Sequence, residues 1–392
     1  MKNGWPTVPL GNVIRQRKEF IRIDDIQTYK RPRVQLHAKG IVERDTVSGA
    51  EIKTKEQQVC RAGEFLVAEI DAKVGGFGIV PGNLDGSLVS SHYFLFQIDE
   101  TRLDQQFLDF YSRTPAFRDQ VAAQGSTNYA AIRPGHVLTY TIPMPPVPEQ
   151  RRIVARIEQL AAKIEEARRL RHQATEETEA VMPSAMEALF TSLLKKHPVK
   201  ALGDLCEVVR GGSPRPAGSP VYYGGDIPFM KVGDLTKDDG KYLYEASSTV
   251  NEFGKSESRY IEADTLMLTN SGATLGVPKI TKIAGCFNDG SQAFLNLSPT
   301  VEQEYLYYFF KSKTLWFREW IARGQGQPNL NTTMTRRMDV PVPPLPEQRR
   351  VVGYLDGLAG QVAALARLQS ETAAELDALL PSVFDRAFKG EF

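Results

Sequence analysis

The sequence predicts a mixed α/β chain: two α/β domains in pseudo-twofold tandem, separated by two long antiparallel coiled-coil helices. Three observations predict it. Residues 143 to 190 recur at 341 to 388 with no insertion or deletion, a fixed offset of 198 residues, and such an internal period marks a repeated architecture. Each copy opens on a Pro-rich decapeptide and continues with apolar residues spaced alternately by four and three, as in a helix seam. The remaining stretches, about 150 residues each, mix short β-type runs and Gly, Pro and Asn turns with one aromatic helix.

The decapeptides are Pro143-Met144-Pro145-Pro146-Val147-Pro148-Glu149-Gln150-Arg151-Arg152 and Pro341-Val342-Pro343-Pro344-Leu345-Pro346-Glu347-Gln348-Arg349-Arg350, identical at eight of ten positions. Their prolines hold an extended path and forbid helix until the last has been passed. Pro148 and Pro346 suit a first helical turn, and Glu149 and Glu347 set negative charge at the positive end of the helix dipole. The first seam is Ile153, Ile157, Leu160, Ile164, Ala167, Arg171, Ala174, Thr178 and Val181; the second is Val351, Leu355, Leu358, Val362, Leu365, Gln369, Thr372, Leu376 and Leu379. The spacing predicts rods of about 50 Å that end near Pro183 and Pro381 and pack on each other, the other reading being that each stripe packs on its own globular domain.

The domains are accordingly 1–148, a first helix region 149–196, a second domain 197–346 and a second helix region 347–392. Phe65-Leu66-Val67-Ala68, Ser91 to Phe96 and Thr265-Leu266-Met267-Leu268 read as strands, and Phe107 to Tyr111 and Tyr305 to Phe310 as helices. Leu10-Gly11 and Leu202-Gly203 open the two domains, and Phe77-Gly78-Ile79-Val80 is expected to match Leu275-Gly276-Val277-Pro278.

At 42% hydrophobic and 24% charged residues the composition is that of a soluble globular chain. No apolar run reaches membrane-span length and no leader segment is visible, so a cytoplasmic location is expected. Cys60, Cys206 and Cys286 are widely separated and expected as plain buried thiols, and the five histidines form no metal cluster.

Catalytic motifs are nearly absent. There is no phosphate loop, no dinucleotide fingerprint and no Asn-Pro-Pro-aromatic motif, and the prolines of Gly211-Gly212-Ser213-Pro214-Arg215-Pro216 make it a poor phosphate cradle. Asp45, Glu51 and Lys53 echo a metal-dependent nuclease triplet, with a solvated polar hairpin as the plainer reading. The stronger candidates are contacts. Arg15, Arg17, Lys18, Arg22, Arg31, Arg33 and Lys39, with Lys30 and Tyr29 among them, suit a phosphate backbone and guanine edges. In the second domain Arg210, Ser213, Arg215, Tyr222, Tyr223, Lys231, Asn270, Lys279 and Gln292 are the equivalents, Asn and Gln being able to pair with adenine. A net charge of only +1 weighs against a free-standing nucleic-acid binder, unless a partner supplies phosphate contacts.

The doubled decapeptide, the Leu-Gly openings, Gly211-Gly212-Ser213-Pro214 with Tyr222-Tyr223-Gly224-Gly225-Asp226-Ile227-Pro228, and the ending Phe384 to Phe392 resemble the DNA-specificity subunit of type I restriction-modification systems over the whole length. The resemblance implies two target-recognition domains, each reading half of a bipartite, asymmetric double-stranded DNA sequence. It implies a non-catalytic subunit with no cofactor of its own, S-adenosylmethionine belonging to the methyltransferase partner. The expected partners are double-stranded DNA, two methyltransferase subunits per chain and, in a restricting system, translocase/endonuclease subunits. Glu149, Gln150, Arg151 and Arg152, with Glu347, Gln348, Arg349 and Arg350, match the family's docking surface for the methyltransferase. A coiled-coil protein-binding scaffold without a DNA role is the remaining alternative.

Overall fold

The computed structural model describes residues 4–122, 131–272, 274–322 and 329–392. The chain forms two compact units, Met1–His172 with Ser370–Phe392, and Gln173–Gln369. The boundaries cut both long helices, Val147–Lys196 and Leu345–Phe388, so that each unit contains a segment of each rod.

In the first unit, Ile14–Arg17, Tyr93–Ile98, Phe65–Ala68 and Phe77–Ile79 form an antiparallel sheet in that order. Phe20–Arg22, Glu56–Val59 and Leu88–Val89 form a second sheet, and Thr28–Gln35 with Gly40–Ser48 a long hairpin. The helix Gln105–Ser112 is capped by Asp104, whose carboxylate accepts from the amides of Gln106 and Phe107. Its apolar face joins Phe65, Phe77, Phe96 and Phe117 in the core.

In the second unit the order is Glu207–Arg210, Ser291–Leu295, Thr265–Thr269 and Pro278–Thr281, with Tyr242–Leu243 added parallel at the edge. The two main sheets therefore share a topology. The helix Gln303–Ala322 supplies the aromatic side chains Tyr305, Phe309 and Phe310 to the core. Leu10 and Leu202 are both fully buried at matching short turns, donating their backbone amides to Tyr140 and Met338 at 2.7 and 2.9 Å. The expected Phe77–Val80 match to Leu275–Pro278 does not hold: Gly78 lies inside a strand, whereas Gly276, at φ +80°, lies in the turn before Pro278–Thr281. The repeat offset is not kept through this loop.

The helices begin at Val147 and Leu345, so Pro148 and Pro346 occupy their first turns. They do not stop at Pro183 and Pro381 but pass through both. An interior proline costs about 3 kcal/mol, and apolar contacts made beyond each proline offset it. Past Pro183, Met186, Phe190 and Leu193 enter the second unit's core, the Phe190 ring 5.5 Å from Tyr305 and 5.7 Å from Phe309. Past Pro381, Phe384, Ala387 and Phe388 enter the first unit's core, Phe388 lying 5.0 Å from Phe107 and 5.1 Å from Tyr111. Burial of one such phenyl group contributes about 1.5–3 kcal/mol, so each apolar cluster outweighs its proline.

Within each unit the rod segments run antiparallel. In the first, Arg152 donates to the carbonyl of Phe392 at 3.1 Å and Arg168 to Asp377 at 3.2 Å; in the second, Gln369 donates to Thr178 at 3.2 Å. Most of the heptad seam faces inward: Ile153, Ile157, Ile164, Thr178, Val351 and Leu355 are buried and Leu160, Arg171, Ala174, Leu358, Val362, Gln369 and Leu376 half-buried, while Ala167, Val181, Leu365, Thr372 and Leu379 are exposed. The rod ends also pack on globular cores, but the far end of each rod enters the core of the unit it does not open, not of its own domain as the other reading held.

Candidate nucleic-acid interface

The basic residues of the first unit divide by geometry. Arg17 is held inside the fold: its guanidinium binds the buried carboxylate of Glu64 at both oxygens, Glu19 at 2.5 Å and the Val59 carbonyl at 2.5 Å. The hydrogen bond from Arg17 to Glu64 raises its pKa above the ordinary arginine value. Arg31 makes a bidentate pair with Asp45 at 2.7 Å on each arm, which holds the Asp45 carboxyl below its usual range. That engagement removes one carboxylate from the nuclease-like triplet, and among the described residues no group of three or more His, Cys, Asp or Glu is arranged to hold a metal ion.

Arg15 is exposed and donates to Gln97 at 3.1 Å. Lys18, Arg22, Arg33 and Lys39 are exposed, and Lys30 is tied to the carbonyl of Asn83 at 3.3 Å. The hairpin that carries Lys30, Arg31, Arg33 and Lys39 is anchored at its tip. His37 and Ala38 take left-handed φ values of 62° and 56° and donate backbone amides to Val74 and Gly75. A groove of about 410 Å³ beside it is lined by Arg31, Arg44, Glu51, Lys53, Gln57 and Tyr93. Arg44, which no sequence pattern singles out, is the unpaired residue at the bulge between the Arg31–Asp45 and Pro32–Glu43 pairs and faces the Asp45 carboxylate at 3.4 Å.

In the second unit the Gly-rich loop closes on the turn 288–290. Gly211 donates to Ser291 at 3.1 Å and Gly212 to Phe287 at 3.0 Å. A Cβ on Gly211 would lie 2.2 Å from the Asn288 carbonyl, so only glycine permits this approach. Around that turn, Arg210 Nε donates to the Asp289 carbonyl at 2.8 Å, Ser213 Oγ to the Asp289 carboxylate at 2.6 Å, and Arg215 faces the same carboxylate at 3.8 Å. Arg259, also unforeseen, donates to the Arg210 carbonyl at 3.1 Å. Lys231 is exposed, its ammonium 6.0 Å from the Phe229 ring centre; Tyr222 is half-buried, and Tyr223 donates to the Pro214 carbonyl at 3.0 Å.

Three candidates lie inside the fold. Asn270 is 1% exposed and donates to the Asp289 carbonyl at 3.3 Å; Gln292 is fully buried and donates to Leu330. Lys279 is also buried, its ammonium donating to the Asp238 carbonyl at 3.0 Å, the Asp238 carboxylate and the Gly240 carbonyl. Its charge closes a loop, whose oxygens take the ammonium's hydrogen bonds.

The decapeptides form a paired clasp. Gln150 and Gln348 are wholly buried and not on the surface. Gln150 donates to Arg102 and Pro145 at 2.9 Å each and accepts from the Asp104 amide at 2.8 Å; Gln348 donates to Thr300 and Pro343 at 2.8 Å and accepts from Glu302 at 2.8 Å. Arg151 and Arg349 extend outward to Asp104 at 3.7 Å and Glu302 at 2.7 Å. Glu149 pairs with Arg152 at 2.7 Å, a hydrogen bond that lowers its pKa, and Glu347 with Arg350 at 3.3 Å.

Residues 195–371 match the family model of the type I restriction modification DNA specificity domain. A segment of 172 residues is 32% identical to the type I restriction enzyme MjaIX specificity subunit of Methanocaldococcus jannaschii, covering 42% of this chain and 39% of that protein, well under half its length. The HsdS subunit of Thermoanaerobacter tengcongensis superimposes with a TM-score of 0.68 at 25% identity, over 100% of this chain and 98% of the other. A chain solved in a study of complex assembly and conformational transition of the type I R-M system gives a TM-score of 0.74 at 26% identity, over 100% and 99%. With the doubled clasp and the shared sheet order, these likenesses show that residues 195–371 carry a type I restriction modification DNA specificity domain and that the whole chain is similar in fold to solved HsdS-type subunits.

Proposed function

We propose that the chain recognises a bipartite, asymmetric double-stranded DNA sequence and performs no chemistry itself, directing methyltransferase subunits and, in a restricting system, endonuclease subunits to that target. Residues 1–148 and 197–346 each read one half, and the rods set the gap. S-adenosylmethionine belongs to the methyltransferase partner. The carrying observation is a shared sheet and a repeated glutamine clasp supporting two different sets of exposed cations, Arg15, Lys18, Arg22, Arg33, Lys39 and Arg44 in one unit and Arg210, Arg215, Lys231 and Arg259 in the other. Similar scaffolds with different surface groups suit two related but distinct targets. The outward Glu149, Arg151, Arg152, Glu347, Arg349 and Arg350 are the proposed methyltransferase contacts, while Gln150 and Gln348 support them from within. Exchanging residues 1–148 for a homologous domain and sequencing the methylome of a host that carries the methyltransferase partner tests this: one half of the modified motif changes and the other stays. Loss of both halves, or methyl transfer by the chain alone, would refute it.

A further inference from the structure

Asp289 stands at the meeting point of three segments of the second unit, and this inference rests on the DNA-reading role proposed above. Its carboxylate accepts from Ser213 Oγ at 2.6 Å and faces the Arg215 guanidinium at 3.8 Å; its carbonyl accepts from Arg210 Nε at 2.8 Å and Asn270 Nδ2 at 3.3 Å. Stability does not explain the facing of Arg215 and Asp289: their side chains are 78% and 41% exposed, and exposed pairs contribute little. Electrostatics makes the carboxylate costly, because a negative charge among phosphate-seeking arginines repels the DNA backbone. A local gain must offset that cost, and the geometry indicates which. Arg210 is fixed by the turn's carbonyl, whereas Arg215 is tethered only at its guanidinium, by the carboxylate that Ser213 in turn orients.

We propose that Asp289 is a specificity-determining positioning residue: it orients the Arg215 guanidinium for two-point hydrogen bonding to O6 and N7 of a guanine in the major groove, so that selection of one G·C pair in the second unit's half-site depends on Asp289. Arginine is the side chain whose fork fits those two acceptors, and that fit is lost when the guanidinium is free to rotate.

The test uses the full chain in complex with methyltransferase subunits and a pool of randomised double-stranded DNA, with sequencing of the bound fraction and a thermal melt of each variant. The wild type selects two half-site motifs. Asp289→Ala leaves the first unit's motif unchanged and lowers preference for one G·C pair of the other by about tenfold, at an unchanged melting temperature. Arg215→Ala erases preference at the same pair, and the double variant does no more than Arg215→Ala at that position. Asp289→Asn, which keeps an acceptor for Ser213, retains most of the preference. Unchanged selection by Asp289→Ala, or weakening spread over every base of the half-site, overturns the inference alone. An unselective wild type overturns the DNA reading and the inference together.

Discussion

Gln348 repeats, 198 residues along the chain, the three hydrogen bonds of Gln150, each side chain donating twice to carbonyls and accepting once from a backbone amide. Because both are fully buried, truncation strands three backbone groups without solvent. Gln150→Ala and Gln348→Ala should each lower unfolding free energy by about 2–4 kcal/mol. Chemical denaturation checks this, and a loss below about 0.5 kcal/mol would show that the clasp is not structural.

Lys279 and Arg33 carry the same charge but differ in burial. Lys279→Ala, which leaves its loop carbonyls without a donor, should destabilise by about 2–4 kcal/mol. Arg33→Ala and Lys39→Ala should leave stability within about 0.5 kcal/mol. Each should weaken DNA binding alike across sequences and reduce its salt slope by about one. Unfolding curves and salt titrations of the same variants separate the two roles, and a neutral Lys279→Ala would contradict the assignment.

Glycines give opposite outcomes by location. Gly211→Ala places a methyl group 2.2 Å from the Asn288 carbonyl and should lower the melting temperature of the second unit. Gly353, Gly357 and Gly360 lie on a helix with nothing within 4 Å of a Cβ, so alanine at each should stabilise by about 0.5–1 kcal/mol. Melting curves decide both signs.

Burial pushes the Cys60 thiol up to about 11 and the Cys206 thiol up to about 12. Their neutral forms are favoured in the fold, while unfolded thiols ionise from about pH 8.5. This contribution is therefore complete below pH ~8.5 and is lost as pH rises towards the folded values. The denaturation midpoint should fall between about pH 8 and 10, and iodoacetamide should label neither thiol at about pH 8 before unfolding. Rapid labelling of folded protein would contradict the burial of these residues.

Much of this architecture is legible in local pattern. The Pro-rich entries, the first-turn prolines and the Leu-Gly turns announce themselves because they depend on neighbours in sequence. The passage through Pro183 and Pro381 does not, since the compensating aromatic contacts lie in distant segments. For the same reason Gln150 and Gln348 pass for surface groups inside a charged run, and Lys279 for a phosphate ligand: their partners come from loops whose return path no periodicity encodes. Asp289 is an acid among bases, so no charge pattern in the sequence singles it out.

Phe384 and Phe388 complete a core whose other walls, Phe107 and Tyr111, belong to an early part of the chain. On a ribosome the first unit therefore waits. Its sheet can form as it emerges, yet its aromatic centre stays open while the whole second unit is synthesised, and closes only when the far end of the second rod is free. A stalled or truncated polypeptide exposes that centre to chaperones and proteases. Closure of the first unit's core thus depends on residues made after the whole second unit.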